Sequence, residues 1–476
     1  MKVIYKIKTV IFLMVLFLSQ SCSIDDVVPI NELTDLNVIR DENSAQSVLD
    51  GIYTQWRSEF TVANAIFLIE FQGDLILQTA ALFGDTGMAT NQIPDDNSFI
   101  QGYYNTNYKI INNTNWLITK LEAGEAVGIS EERKTEMIAE ARCQRAMASF
   151  DLLRSYGQFY NTSSNFGIVL RDKPAQTLEA AARSSVQESY DFILADLQFA
   201  ATNAPATVAN GGFISRVTAN AYLAKVYLYM GDYANAATTA NQVIGNGAGY
   251  ALESAYANIF SGQHLSQEVL FAPFIDGVSQ NENMTLLNQI NRTRYSPALT
   301  QLADDQVAGA GSLFGAGTGF DPRYNYAYAD ATVGPNSHGK YPYVARDLTG
   351  TAGRIGLTKF YLRLAEIYLI EAEALARMGA GVDAGALARL NEIRTRAGVS
   401  NETPATKAEL LTAIFNEKRL ELFSENSESW YDIVRFDRLG DISAASLKPS
   451  ITNESKLIFP MPRLALASNN LLEPNP

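Results

Sequence analysis

The chain has two cysteines, and one of them, Cys22, stands where a thiol could accept a lipid. Lysines at the start are followed by an unbroken apolar run over residues 10–18 and then by small or polar residues. Such a pattern is typical of a secretory signal peptide, and the run is too short to cross a bilayer. We therefore predict a signal peptide over residues 1–21, lipidation at Cys22 and a polar tether over residues 22–36. The alternative is an ordinary secretory leader with an incidental Cys22.

Catalytic chemistry has few candidate residues in this sequence. The two histidines, His264 and His338, lie in segments without helical periodicity, and the common zinc, phosphate-loop and serine-nucleophile motifs are absent. The 51 acidic residues make carboxylate pairs unavoidable, so such pairs do not by themselves indicate a glycosidase. We predict no catalytic residue, no metal and no cofactor. A Ser-His-Asp site and a paired-carboxylate hydrolase are the alternatives left open.

Three acidic residues, Glu366, Glu371 and Glu373, lie on a strongly helical segment. Carboxylates at such positions either catalyse a reaction or pair with cations of neighbouring helices. We predict ion pairs between helices, and the available partners are Arg363, Arg394, Arg396 and Arg419.

Aromatic residues in segments without helical periodicity are the candidates for ligand binding. An aromatic ring can pack against an apolar face of a ligand, and Asn, Asp or Arg side chains can bond to its polar groups. For any single tyrosine, packing of a loop onto the helices is the alternative role. The predicted contacts are Asn97, Phe99, Tyr103, Tyr104, Tyr295, Arg323, Tyr324, Asn325, Tyr326, Tyr328 and Tyr341, with Tyr343 close by.

The chain is acidic, with a net charge of −14 over 476 residues, and 47% of its residues are hydrophobic. The apolar fraction is ample for a large core, whereas the negative charge disfavours nucleic acid, whose phosphates require Lys and Arg. No stretch after the leader is apolar enough to span a membrane, so attachment is predicted through the lipid only. With Cys22 lipidated, Cys143 has no disulfide partner and is predicted to be a small buried residue.

The segments that must position these residues are predominantly helical. Residues 216–249 read as a helical hairpin with its turn at Met230-Gly231-Asp232, and residues 358–398 read as a second hairpin. In the first hairpin, small alanines alternate with large side chains, and its length resembles that of a tetratricopeptide repeat. The central region, about residues 250–357, is irregular and rich in tyrosine. Further helices are predicted over residues 41–57, 103–123, 130–156, 185–201, 406–424 and 429–438.

Five motifs follow one another in a fixed order, at residues 139–157, 363–374, 390–398, 417–435 and 459–476. Together they resemble one protein family, the SusD/RagB family of nutrient-binding outer-membrane lipoproteins. The likeness covers nearly the whole chain. Two departures from the family pattern are Tyr104, where early members often carry a tryptophan, and residues 157–160, which replace a Gly-x-x-Pro.

The resemblance implies a mainly α fold, with tetratricopeptide-repeat-like helix hairpins and a large, irregular, loop-rich ligand-binding half. It implies one compact unit that comprises an N-terminal helical region, 37–249, and a C-terminal region, 250–476. The implied role is not enzymatic: the protein would capture a nutrient, mainly a glycan and in some branches a peptide, for a SusC-like TonB-dependent transporter. The pair Asp25 and Asp26 resembles a signal for export to the cell exterior. A helical-repeat scaffold that binds another protein is the alternative.

Overall fold

The structure, a computed structural model, describes residues 38–58, 75–77, 87–88, 90–175, 177, 179–275, 293–295, 297–312, 317–323, 357–423 and 425–476. The predicted leader, Cys22 and the tether lie outside the described residues. Within them the chain is mainly helical, as the sequence predicts. The helices are α1 (Glu42–Gln55), α2 (Ser98–Glu122), α3 (Glu131–Tyr156), α4 (Val186–Asn203), α5 (Arg216–Met230), α6 (Tyr233–Ile244), α7 (Tyr256–Gly262), α8 (Pro297–Asp304), α9 (Leu364–Met378), α10 (Ala384–Ala397), α11 (Lys407–Glu421), α12 (Glu428–Arg438), α13 (Ala444–Leu447) and α14 (Arg463–Ser468).

Side-chain caps explain where several of these helices begin. Ser185 accepts a hydrogen bond from the backbone N–H of Glu188, and the Glu188 carboxylate accepts one in return from the N–H of Ser185. Thr406 and Glu409 form the same reciprocal pair at the start of α11. Each cap satisfies N–H groups that a helix leaves without a partner, and its loss costs about 1 kcal/mol. Both helices therefore begin within one residue of the predicted positions.

The helices pack in a continuous array. From α1 to α6 each helix packs against the next one in the chain, and α6 then packs against α9, which also contacts α10 and α11. The first predicted hairpin is α5 with α6 and the second is α9 with α10, so both predictions are confirmed. Close approach within the first hairpin depends on small side chains, and its fully buried alanines include Ala221, Ala224, Ala236 and Ala240.

Short antiparallel strand pairs join the central region to the helical array. Strand β6 (Leu362–Arg363) leads directly into α9, and its pairing with β2 (Val269–Phe271) places the two strands beside the start of that helix. The pairs are β1 (Leu75–Leu77) with β4 (Thr293–Tyr295), β2 (Val269–Phe271) with β6 (Leu362–Arg363), and β3 (Phe274–Ile275) with β5 (Leu357–Thr358).

The three carboxylates of α9 do form buried ion pairs, but their partners differ from the predicted arginines. Periodicity places the acids on one helix, whereas the packing of α5, α10 and α12 around it decides which cations they meet. Glu366 pairs with Lys225 at 2.8 Å, Glu371 pairs with Arg389 at 2.8 Å, and Glu373 pairs with Arg435. The predicted arginines bind other acids: Arg363 binds Glu268 at 2.6 Å, Arg394 binds Glu417 at 2.9 Å, and Arg396 binds Glu421 at 2.5 Å.

Helix α2 begins at Ser98 rather than at residue 103 as predicted. Asn97 caps it, since its Oδ1 accepts the backbone N–H of Phe99 at 2.9 Å. The helix therefore begins five residues before its predicted start, because apolar periodicity does not register a cap. Tyr103 and Tyr104 lie inside this helix and not at its start, and helical geometry sets their directions.

Candidate functional site: a groove beside helix α2

Two adjacent predicted contacts on α2, Tyr103 and Tyr104, face in different directions. Successive residues of a helix are rotated by about 100°, so the two rings do not share one surface. Tyr103 is 2% exposed and belongs to the hydrophobic core, whereas Tyr104 is half-buried and lines a groove. The prediction of ligand contact is wrong for Tyr103, because its ring is enclosed by the core. It stays a prediction for Tyr104.

Arg323 is also buried instead of facing a ligand site. Its Nη2 binds Asp321 at 2.8 Å, and its Nη1 binds Glu421 at 2.9 Å and also contacts Glu417. The side chain is 1% exposed, and its charge is paired with three carboxylates inside the protein. The predicted ligand role is therefore wrong. Two of these acids lie on α11, far along the chain, and only the tertiary fold brings them to Arg323.

Asn97, Phe99 and Tyr295 are the other predicted contacts that lie among the described residues. Asn97 caps α2, and Phe99 packs partly buried against the main core, so both have structural roles. Tyr295 lies in β4, opposite Leu75 of β1. The remaining predicted contacts lie outside the described residues, and their role stays a prediction; they are Tyr324, Asn325, Tyr326, Tyr328 and Tyr341.

The groove that contains Tyr104, named here the α2 groove, lies between helix α2, segment 169–179 and helix α14. Its volume is about 590 Å³, within the range of small-molecule sites in proteins. Aromatic rings, amides and cations line it together. The side chains that line the groove include those of Tyr104, Asn105, Tyr108, Arg171, Lys173 and Leu464.

Side chains on α2 hold segment 169–175 in place. The Tyr108 hydroxyl donates to the backbone carbonyl of residue 169 at 3.0 Å. About two helical turns further along α2, Asn115 donates from Nδ2 to the backbone carbonyls of both Arg171 and Lys173, each at 3.0 Å. Residues seven apart lie on the same helix face, so α2 presents one stripe of polar groups to this segment. The backbone beneath the two cations is thereby fixed.

Asn115 is itself supported by a buried ion pair. Its Oδ1 accepts a hydrogen bond from Nη1 of Arg145 at 2.6 Å. Arg145 binds Asp196 of α4 through two N–H groups, at 2.7 and 2.8 Å. Such bidentate pairs impose geometry as well as attraction. A chain of hydrogen bonds therefore runs from α4 through α3 and α2 to the wall of the groove.

The tyrosines of the groove form an aromatic cluster. The ring of Tyr104 packs edge-on against Tyr156, at 5.2 Å between centroids, and lies tilted at 4.8 Å from Tyr108. Burial raises the pKa of both Tyr104 and Tyr108, so both phenols are neutral at physiological pH. A neutral phenol offers an apolar ring and a hydroxyl that donates and accepts hydrogen bonds. These properties suit a hydroxylated ring ligand.

A second hollow, of about 560 Å³, adjoins the α2 groove and shares Asn105 and Leu464 with it. Arg463 lies at this second hollow and pairs with Asp95 at 2.6 Å and with Asp96 at 3.0 Å. Leu464 between the two hollows is 66% exposed. An elongated ligand can therefore extend from one hollow to the other across an apolar side chain.

The amino-acid sequence does not predict this groove. Arg171, Lys173 and Leu464 come from segments with no binding pattern of their own. One signal was present: Tyr104, Tyr108 and Asn115 recur at helical spacing, which puts aromatic and amide groups on one face of α2.

The described residues also bear on metal binding, on membrane crossing and on the second cysteine. In it, no group of three or more His, Cys, Asp or Glu side chains is placed to hold a metal ion. No helix there combines the length and apolar character needed to cross a membrane. Cys143 is a buried free thiol, as predicted.

Two family models match the chain. One, described as the SusD family, matches residues 321–469, and the other, described as starch-binding associating with outer membrane, matches residues 41–228. The chain belongs to the SusD/RagB family. The relationship that the ordered motifs indicate is thereby confirmed.

Known members resemble this SusD/RagB protein along its length. SusD-like protein P2 of Formosa agariphila is 26% identical, and the alignment covers 99% of both chains. A solved SusD superfamily protein of Bacteroides thetaiotaomicron has a TM-score of 0.72 at 22% identity, covering 91% of this chain and 99% of that one. A solved laminarin-binding SusD-like protein has a TM-score of 0.69 at 23% identity, covering 92% and 99%. These structural likenesses establish the mainly helical SusD fold.

Proposed function

We propose that the protein is a surface lipoprotein that binds an oligosaccharide in the α2 groove and delivers it to a TonB-dependent transporter. The observation that carries this proposal is the half-buried ring of Tyr104, set among amides and cations in a groove of about 590 Å³. The description of one matching family model as starch-binding, and a laminarin-binding structural relative, support a glycan as the ligand.

The groove offers the two kinds of contact that a sugar ring requires. The Tyr104 ring can pack against the apolar C–H face, because part of it is exposed in the groove. Gln101, Asn105 and Asn112 line the same groove, and their amides both donate and accept hydrogen bonds. The loop tyrosines predicted from sequence, such as Tyr324 and Tyr341, remain further proposed contacts beyond the described residues.

Attachment and delivery follow from the N-terminal pattern and the family. We propose that lipid on Cys22 anchors the protein in the outer membrane, facing the exterior, and that residues 22–36 tether the helical body to it. A SusC-like transporter is the proposed receiving partner. Binding and release suffice for this role, so no covalent step is assigned to any residue.

The site is tested by titrating the full mature chain with neutral and acidic oligosaccharides and with peptides in a calorimeter. We expect a saccharide to bind, and Tyr104→Ala to weaken that binding about tenfold, because truncation of a central aromatic typically costs more than 1 kcal/mol. Tyr104→Phe keeps the ring and is expected to bind within about threefold of wild type.

The matched control is Tyr227→Ala, which truncates a half-buried tyrosine on α5 outside the groove. It is expected to leave the affinity unchanged. Saccharide binding that is insensitive to Tyr104→Ala would move the site away from the α2 groove. Binding of peptides alone would overturn the glycan assignment.

A further inference from the structure

Two cations of the α2 groove have no acidic partner among the residues that the structure describes. Neither Arg171 nor Lys173 has a carboxylate oxygen within 4.0 Å in the described part of the chain. Several buried arginines of the protein instead bind acids, as Arg145, Arg323 and Arg363 do. The chain carries a net charge of −14, yet two of its cations lie in one groove without an acidic partner among the described residues.

The geometry directs both cations to the same place. Asn115 bonds to the backbone carbonyls of Arg171 and Lys173, and both residues line the α2 groove. Arg171 donates from Nη2 to the carbonyl of Glu179 at 2.6 Å, which leaves Nε and Nη1 without a partner among the described residues. These groups form a planar fork that matches an oxyanion.

A third positive charge, that of Arg183, acts on the tyrosines of the groove. Arg183 donates to the backbone carbonyls of Gly167 at 2.9 Å and Tyr156 at 2.9 Å and to Asn475 Oδ1 at 2.7 Å, and no carboxylate lies within 4.0 Å of it in the described residues. Burial lowers the pKa of Arg183 to about 10, so the guanidinium stays protonated at neutral pH. The charges of Arg183 and Arg171 both act on the Tyr104 phenol.

The acidic groups near the groove form no ion pair with Arg171, Lys173 or Arg183 among the described residues. Glu179 lines the groove and Asp172 lies between the two cations in the chain, and both carboxylates are exposed. At the second hollow Asp96 binds Arg463, which also binds Asp95. Arg171 and Lys173 are therefore available to an anionic group, on a protein whose overall field would repel one.

We infer that the ligand of the α2 groove is an anionic saccharide, with a carboxylate or sulfate group bound between Arg171 and Lys173 and a sugar ring against Tyr104. This inference rests on the proposed function, because it names the chemical class of the glycan. Neutral saccharides would leave two cations and their hydrogen-bond donors facing water, whereas an acidic group would pair with both.

The test compares saccharides of one length that differ in charge. Calorimetric titrations of the full mature chain would use the galacturonic acid hexamer, a sulfated carrageenan hexamer and the neutral hexamers of maltose and laminarin type. We expect one of the two acidic hexamers to bind at least about tenfold more tightly than either neutral one. That preference is expected to shrink between about 50 and about 300 mM NaCl, because salt screens exposed charges.

Two double variants separate the groove charges from net charge. Arg171→Gln with Lys173→Gln is expected to weaken binding of the acidic hexamer at least about tenfold and to leave thermal unfolding nearly unchanged, because neither side chain forms an ion pair with a described residue. Arg40→Gln with Lys109→Gln removes the same two charge types from exposed positions outside the groove and is expected to have little effect.

The outcomes distinguish this inference from the proposed function. Tighter binding of the uronic acid assigns a carboxylate, and tighter binding of the carrageenan assigns a sulfate. Equal or tighter binding of neutral hexamers, or an acidic preference that survives in the groove variant, overturns the anionic class and leaves the glycan function standing. If no saccharide binds, both proposals fail together.

Discussion

At the scale of single residues, one buried lysine serves two carboxylates. Nζ of Lys225 on α5 lies 2.8 Å from Glu366 on α9 and 2.5 Å from Glu428 on α12, and all three side chains are at most 4% exposed. Burial would raise the pKa of Glu428, but Lys225 and Arg154 lower it to about 2. Burial raises the pKa of Glu366 to about 7, against the attraction of Lys225. The two acids therefore titrate in opposite directions from their ordinary value.

Glu366 makes stability depend on pH between its unfolded pKa of 4.5 and its folded pKa of about 7. In that window the unfolded chain gives up the proton while the folded chain keeps it, so this group's contribution to stability falls as pH rises. Relative to Glu366→Gln, wild type is expected to lose up to about 3 kcal/mol of unfolding free energy from pH 4.5 to 7.5. Urea titrations across this range measure the difference.

The control for this prediction is Glu132→Gln, which changes an exposed acid on α3. Its difference from wild type is expected to vary much less with pH. If the wild-type and Glu366→Gln curves run parallel from pH 4.5 to 7.5, the folded pKa of Glu366 is not raised.

At the scale of elements, the turn between α5 and α6 depends on a left-handed glycine. Gly231 has φ +81°, and the backbone N–H of Asp232 donates to the carbonyl of Tyr227 at 2.9 Å across the end of α5. Asp232 then caps α6 by accepting the N–H of Asn235 at 3.2 Å. The turn thus closes one helix and opens the next within two residues.

Gly231→Ala is expected to destabilise the protein by about 1 kcal/mol, because only glycine adopts this φ without steric cost. A Cβ there would meet no atom nearer than the Tyr233 hydroxyl at 3.9 Å, so the cost is conformational and not a clash. Gly247→Ala is the matched control, since its Cβ would enter open space and its φ is not left-handed. Chemical denaturation of both variants checks this, and equal stabilities would contradict it.

At the scale of the whole molecule, contacts far apart in the chain hold the helical array together. Arg154 of α3 binds Glu428 of α12 at 2.7 Å, and Glu428 also binds Lys225. Removal of one partner from such a buried pair typically costs about 3–5 kcal/mol, because the other charge is left uncompensated. The N-terminal and C-terminal regions expected from sequence therefore share one interior.

The proposed anchor makes a prediction about the whole molecule in the cell. The native chain is expected to enter the detergent phase on phase separation, and Cys22→Ser is expected to stay in the aqueous phase, because the other cysteine is buried. Cys143→Ala is the control and should partition as wild type does. Mass spectrometry of the mature N-terminus would identify the lipid, and detergent partitioning of Cys22→Ser would contradict the anchor.

The sequence by itself determined most of the long helices, because caps and periodicity are local properties. It did not determine the start of α2, nor the short helices α7 and α8 of the central region, which was predicted to be irregular. The turn at Gly231, the starts of α4 and α11 and the hairpins α5–α6 and α9–α10 depend on residues within a few positions of one another. The order of the motifs also sufficed to identify the SusD/RagB family, because those motifs are stretches of contiguous chain.

Only the tertiary structure decided which side chains meet. Tyr103 and Tyr104 look alike in sequence, yet the rotation along α2 buries one and leaves the other in a groove. Arg323 looked available to a ligand until packing placed it against the acids of α11. The groove joins α2, segment 169–179 and α14, and no local pattern can encode proximity between segments so far apart in the chain.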